Sequence, residues 1–100
     1  LSGGNQQKVM VGRWLMQNSR LLLLDEPFRG VDIGARREIA QQIRDLVRAG
    51  NAAIIFSSDI DEILESADRV FVMVEGNIMF DAYLSDTSRS EIIKRMSEVA

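Results

Sequence analysis

The feature that most constrains the fold is a pair of short apolar runs with one amphipathic stretch between them. The runs cover Arg20 to Leu24 and Ala52 to Phe56. Apolar residues between them recur at the spacing of one helix face, at Ile39, Ile43, Leu46 and Val47. Because Gly50 follows the last of these, we predict a helix from about Gly34 to Ala49. Such runs are typical of strands buried on both faces, and a helical crossover between two of them makes the strands parallel.

Further elements are predicted on either side of this unit. In chain order they are a helix from Asn5 to Gln17, a short helix behind Ser57-Ser58-Asp59, strands at Arg69–Val74 and Asn77–Phe80 joined by Glu75-Gly76, and a final helix behind Ser88-Arg89-Ser90-Glu91. This order predicts an α/β fold with a mainly parallel sheet, flanking helices and a terminal hairpin. The 100 residues contain no linker-like tract, so we expect one domain at most.

Composition excludes several classes of function. The chain has no Cys and no His, which removes disulfides, thiolate metal sites and the commonest general base. Fifteen Asp and Glu against twelve Lys and Arg give a net charge of -3, which disfavours nonspecific binding to nucleic acid. The apolar runs are far shorter than the roughly 20 residues of a membrane span. Any catalysis would therefore depend on carboxylates, hydroxyls or residues from another chain.

The first group of residues that could carry chemistry is Leu1 to Gln7, at the start of the first predicted helix. Gly3 and Gly4 let the backbone approach a ligand closely, and free amides at a helix N-terminus attract anions. Ser2 adds a hydroxyl donor. On these residues alone, a plain helix cap at Ser2 after a flexible turn is the commoner alternative.

The second group is the acidic pair that ends the first apolar run. Asp25 and Glu26 would lie at the carboxyl edge of the sheet, where α/β folds bind ligands. A carboxylate suits Mg²⁺, so Asp25 could hold the ion directly or through water, while Glu26 could orient a water molecule against a phosphate. A solvated turn or helix cap before Pro27 is the structural alternative.

Taken in order, these motifs strongly resemble the carboxyl-terminal half of an ABC-type ATPase nucleotide-binding domain. In that resemblance Leu1 to Gln7 is the signature motif, Asp25 and Glu26 close the Walker B strand, and Asp32 lies in the D-loop. The resemblance covers most of the chain and implies residues 1–100 as that half-domain.

Two stretches narrow the resemblance to the second cassette of tandem ATPase subunits from bacterial sugar importers of the ribose, xylose and galactose type. They are Asn5-Gln6-Gln7-Lys8 and the segment from Asp25 to Ala35. The sequence departs from the pattern at Phe28, where a Thr is expected. It also has Ser58 where most ABC cassettes carry a His that contacts the γ-phosphate, and second cassettes of this class often share that Ser.

The resemblance implies ATP and Mg²⁺ as ligands. It implies that the signature residues close over ATP held by a partner cassette; these are Ser2, Gly3, Gly4 and Gln6. On its own cassette, Asp25 would serve the metal, Asp32 the nucleotide, and Glu26 and Ser58 the hydrolysis. The Ser in place of His implies slow or no turnover at that second site.

The resemblance also implies partners and a location. Expected partners are the first cassette of the same subunit or a second copy, transmembrane permease subunits, and indirectly a periplasmic solute-binding protein, with no nucleic acid. The location would be the cytoplasmic face of the bacterial inner membrane.

The chain lacks the Gly-Lys-Ser or Gly-Lys-Thr of a P-loop, and it begins at Leu1 without an initiator Met. We therefore expect a piece of a larger protein that is inactive by itself. The alternatives are an inactive interaction module and an ABC-type ATPase of DNA maintenance.

Overall fold

The computed structural model describes residues 20–98 and divides the chain into two compact units, between Ser58 and Asp59. The first unit contains strand β1 at Leu21–Asp25, helix α1 at Ile33–Arg48 and strand β2 at Ala52–Phe56. The second unit contains helix α2 at Ile60–Ser66, strands β3 at Arg69–Val74 and β4 at Asn77–Tyr83, a 3₁₀ turn at Leu84–Asp86 and helix α3 at Arg89–Ser97. The predicted α/β class is confirmed, while the helix predicted from Asn5 to Gln17 lies outside the described residues.

The first unit is a parallel strand pair covered by the helix that joins its strands. Leu21 lies opposite Ala52, and the register runs without a shift to Asp25 opposite Phe56. Helix α1 packs its apolar stripe on one face of the pair, and Ile39 at its centre is fully buried. The buried cluster consists of Leu22, Leu24, Phe28, Ile39, Ala40, Ile43 and Leu46.

The opposite face of this strand pair is exposed, so the prediction that both strands are buried on both faces is wrong for the described residues. Leu21 and Leu23 are 52% and 61% exposed, and Ile54 and Phe56 on the neighbouring strand are 42% and 49% exposed. The physical reason is that a parallel sheet needs a layer on each face, and within residues 20–58 α1 supplies one layer.

The second unit is built on an antiparallel hairpin. Its two turn residues, Glu75 and Gly76, have φ values of 51° and 81°, the positive pair typical of a two-residue hairpin turn. Strand β4 continues three residues beyond the predicted end at Phe80, and the register shifts between Val72 and Met73. The inner face of the hairpin forms a second core with apolar residues of α2 and α3, namely Val70, Val72, Ile60, Ile63, Leu64 and Ile92.

The predicted capping box at α3 is half formed. The Ser88 hydroxyl accepts a hydrogen bond from the Glu91 amide at 3.2 Å, as expected for a helix cap. The Glu91 carboxylate accepts a hydrogen bond from Arg95 Nε at 2.9 Å, one turn along the helix.

No helix within residues 20–98 is both long and apolar enough to cross a membrane.

The outer face of the hairpin carries a bidentate ion pair between neighbouring strands. Arg69 donates two hydrogen bonds to the Asp81 carboxylate, at 2.8 and 2.7 Å, and its guanidinium lies 4.7 Å from the ring centre of Phe71. The hydrogen bond from Arg69, together with its positive charge, lowers the pKa of Asp81 below the ordinary value. The charged carboxylate is therefore the form that the folded hairpin favours.

Deleting a buried side chain from α1 tests the first core. We expect Ile39→Ala to lower the free energy of unfolding by about 2 to 5 kcal/mol, because it removes fully buried apolar volume. The matched control is Ile33→Ala, the same change at a residue of the same helix that is 61% exposed, with an expected cost below about 1 kcal/mol. Urea denaturation followed by circular dichroism measures both, and equal losses would contradict the assigned core.

Removing the guanidinium tests the electrostatics of the hairpin. We expect Arg69→Met to raise the pKa of Asp81 toward its ordinary value, as measured by NMR titration of the carboxyl carbon. Since the folded-state pKa is lowered, the stabilisation is present above the ordinary carboxyl range and is lost as the pH falls through the lowered pKa. Arg89→Met is the matched control, because it removes an equal charge that pairs with Asp61 instead. A pKa of Asp81 that does not move in Arg69→Met would refute the assigned cause.

Candidate functional site

The candidate site lies where the two parallel strands end together. Because Asp25 is opposite Phe56, the residues that follow each strand meet at the same edge of the sheet. Glu26 Oε1 accepts a hydrogen bond from the backbone N–H of Ser58 at 3.1 Å. The structure thus brings together the two residues that the sequence suggested for hydrolysis, although they are far apart along the chain.

Glu26 has an unusual backbone conformation. Its φ of 49° lies in the left-handed region, which non-glycine residues enter at a cost of about 1 to 2 kcal/mol. Its N–H donates to the Phe56 carbonyl at 2.7 Å, one step beyond the last strand pair. Its carbonyl accepts from the Arg29 N–H at 3.2 Å, which closes a turn. These two backbone bonds fix the direction in which the side chain leaves the strand.

The Glu26 carboxylate also faces a cation. Arg29 Nη2 lies 3.5 Å from Glu26 Oε1, and the Arg29 side chain is 76% exposed. Because the Arg29 side chain is this exposed, an ion pair at this separation contributes little to stability. The Ser58 amide is therefore the more defined of the two contacts of this carboxylate.

A buried aromatic residue lies in the turn between Glu26 and Asp32. Phe28 is 2% exposed and belongs to the core cluster under α1, and Pro27 beside it is buried as well. In the sequence, Phe28 stands out only as a departure from the Thr that the resemblance implies. A large apolar residue within a polar turn was the available signal, because such a residue at a strand end is placed there by burial.

Asp32 begins helix α1. Its carboxylate accepts a hydrogen bond from the Ala35 N–H at 2.8 Å, and its backbone is extended, which is the geometry of an N-cap. The cap satisfies one of the amides that a helix leaves unpaired at its start. The side chain suggested for the nucleotide is thus engaged within its own helix in this structure.

Asp25 is the last residue of β1 and is exposed, on the same face as Leu21 and Leu23. Within residues 20–98 no group of three or more acidic residues is placed to hold a metal ion. Mg²⁺ bound with a nucleotide takes one or two protein carboxylates and completes its shell with phosphate and water. An exposed single carboxylate beside Glu26 fits that donor set. The other suggested ligands, Ser2, Gly3, Gly4 and Gln6, lie outside the described residues.

A comparison with known protein families finds a match for the part of this edge that follows β1. The profile of the family described as ABC transporter matches residues 1–29, which include β1 and the Glu26 turn up to Arg29. Over these residues the chain is similar to the ABC transporter family.

Two curated relatives extend the similarity over most of the chain. A ribose import ATP-binding protein of Streptomyces coelicolor is 54% identical over 78% of this chain, and a galactose/methyl galactoside import ATP-binding protein of Sodalis glossinidius is 45% identical over 97%. The chain spans 15% and 19% of the length of these two relatives.

A solved structure shows the same fold. The crystal structure of a nucleotide-free ATP-binding cassette from an ABC transporter has a TM-score of 0.79 and 30% identity, and the match covers 98% of this chain and 37% of that one. The ABC cassette is thus the fold in which the Glu26 and Ser58 contact occurs.

Replacing the cap of α1 tests the role of Asp32. We expect Asp32→Ala to lower the free energy of unfolding by about 1 kcal/mol, because the Ala35 amide loses its acceptor, while Asp32→Asn retains most of the stability. Asp45→Ala, which removes a carboxylate from the exposed face of the same helix, is the control and should cost a few tenths of a kcal/mol. Chemical denaturation compares the three variants. An Asp32→Ala protein as stable as the parent would show that the cap contributes nothing.

Proposed function

We propose that this chain is the carboxyl-terminal half of the second nucleotide-binding cassette in the ATPase subunit of an importer for a sugar of the ribose or galactose type. The observation that carries the proposal is the contact between Glu26 and the Ser58 amide at the carboxyl edge of β1 and β2. It occurs in a chain that is 45 to 54% identical to sugar import ATP-binding proteins.

In this proposal the signature residues act on a neighbouring cassette. Ser2, Gly3 and Gly4 open a predicted helix, and their amides and hydroxyl would donate hydrogen bonds to the γ-phosphate of ATP held by the partner's P-loop. Gln6 would lie in the first turn of this helix. The chain itself has no P-loop sequence, so a complete site requires residues from outside these 100.

The edge described above would serve the cassette's own nucleotide. The exposed carboxylate of Asp25 would hold Mg²⁺, which supplies positive charge to the phosphates when bound. Glu26 would orient a water molecule toward the γ-phosphate through its carboxylate, and Asp32 would line the nucleotide while it caps α1. Ser58 offers its backbone N–H to Glu26 at the position where a His is expected.

A site without that His lacks a group that contacts the γ-phosphate, so we propose that it hydrolyses ATP slowly or not at all. Its nucleotide would regulate closure of the cassette pair, while hydrolysis takes place at the first cassette. The main contribution of this chain to turnover is then the signature helix that completes the other site.

The proposed setting follows from the same resemblance. The cassette would pair with the first cassette of its subunit or with a second copy, and it would contact permease subunits at the cytoplasmic face of the inner membrane. The periplasmic solute-binding protein would be an indirect partner. The net charge of -3 and the sugar-import relatives favour this setting over nucleic acid maintenance.

The experiment is Mg²⁺-dependent ATP hydrolysis by the full-length subunit. We expect Ser2→Arg to lower kcat by about 100-fold, because it blocks donors to the phosphate of the first site, while Glu26→Gln has little effect. Ser85→Arg and Glu75→Gln are the matched controls, placed in the exposed turns of the second unit. The 100-residue chain alone should show no hydrolysis.

Two results would contradict the proposal. Full activity in Ser2→Arg would mean that the signature helix does not complete a catalytic site. A large loss in Glu26→Gln together with little change in Ser2→Arg would mean that the site without a His is the catalytic one.

A further inference from the structure

The turn that carries Glu26 contains a buried pair, Pro27 and Phe28, and Phe28 is a large aromatic residue in an otherwise polar segment. Phe28 is 2% exposed, and it packs into the cluster formed by β1 and α1. The residues that flank Pro27 and Phe28 are polar. The Glu26 carboxylate accepts a hydrogen bond from the Ser58 amide, and the Arg29 side chain is exposed to solvent. The turn therefore has an apolar anchor directly beneath its polar rim.

Backbone hydrogen bonds tie this anchor to both ends of the turn. The Phe28 carbonyl accepts from the Val31 N–H at 3.3 Å, and the Glu26 carbonyl accepts from the Arg29 N–H at 3.2 Å. Gly30, with a φ of 74°, supplies the left-handed residue that lets the chain turn toward α1. A movement of Phe28 out of the core would disturb both bonds, and through them the direction of the Glu26 side chain.

The Glu26 backbone needs such an anchor. Its left-handed conformation is disfavoured for a non-glycine residue, and strained conformations persist only where the surroundings determine them. Burial of a large aromatic side chain stabilises the fold by more than this strain costs, so the packing of Phe28 can hold the strained turn.

We propose that Phe28 is a positioning residue, whose packing in the core holds the left-handed turn at Glu26 and thereby keeps the Glu26 carboxylate on the Ser58 amide. The role of that carboxylate toward a nucleotide rests on the proposed function, whereas the contact itself does not. A Thr at this position has no aromatic surface to bury, so it would leave the turn less constrained.

Hydrogen–deuterium exchange at the Ser58 amide tests the proposal without any measurement of ATP turnover. The full-length protein is compared with its variants by residue-resolved mass spectrometry, and the Ala52 amide, bonded to the Arg20 carbonyl at 2.8 Å at the other end of β2, is the internal reference. We expect Phe28→Ala and Phe28→Thr to speed exchange at Ser58 by about tenfold relative to Ala52. This factor is the one expected when the Ser58 amide loses one hydrogen bond to a charged acceptor. Phe28→Leu, which keeps an apolar side chain in the cluster, should restore most of the protection.

Two controls separate positioning from general destabilisation. Leu46→Ala removes apolar volume from the same cluster at the far end of α1, so it should speed both amides in equal proportion. Glu26→Ala removes the acceptor and should speed Ser58 alone, by the same factor as Phe28→Ala. If Glu26→Ala leaves Ser58 unchanged, the contact does not protect the amide and the proposal fails.

The remaining outcomes are equally decisive. Equal acceleration of Ser58 and Ala52 in both Phe28→Thr and Phe28→Ala would reduce Phe28 to an ordinary core residue. Selective acceleration at Ser58 supports the proposal whatever the hydrolysis assays show, since those assays test the nucleotide role of Glu26 and Ser2 separately.

Discussion

The parallel pairing of β1 with β2 is the constraint on which the rest of the first unit depends. The helix α1 returns the chain to the start of the sheet, so both strands run the same way and end at the same edge. Two polar segments distant in sequence are thereby brought within one hydrogen bond of each other, at Glu26 and Ser58. A register shift of one residue would turn Leu22 and Leu24 away from α1 and would separate the polar ends, so core and site are specified by the same pairing.

The polar edge owes its shape to apolar contacts below it. The turn that follows β1 is polar where it faces solvent, but its backbone path is fixed by buried Pro27 and Phe28 and ends at the cap formed by Asp32. Buried apolar residues and exposed polar residues thus lie next to each other in the turn after β1. Core packing and site geometry are therefore coupled within a few residues, which is the arrangement expected of a site supported by a rigid scaffold.

Much of this could be predicted from the sequence, and the part that could not has physical causes. The helix at Ile33–Arg48 and the strand at Ala52–Phe56 follow from apolar periodicity and from Gly50, and the hairpin follows from Glu75-Gly76. The burial of β1 on one face only could not be predicted, since a run of four leucines carries no sign of which face is covered. The left-handed backbone of Glu26 and the burial of Phe28 also escaped prediction, because both depend on how the turn packs against α1.

The backbone of Glu26 has a consequence for how this position responds to substitution. Glycine adopts a φ of 49° without strain, so a glycine there would relieve a cost that the folded protein now bears. The same replacement would delete the carboxylate that meets the Ser58 amide. The backbone and the carboxylate contact therefore favour different residues at this position, and the effect of glycine on stability is the balance between the strain removed and the hydrogen bond lost.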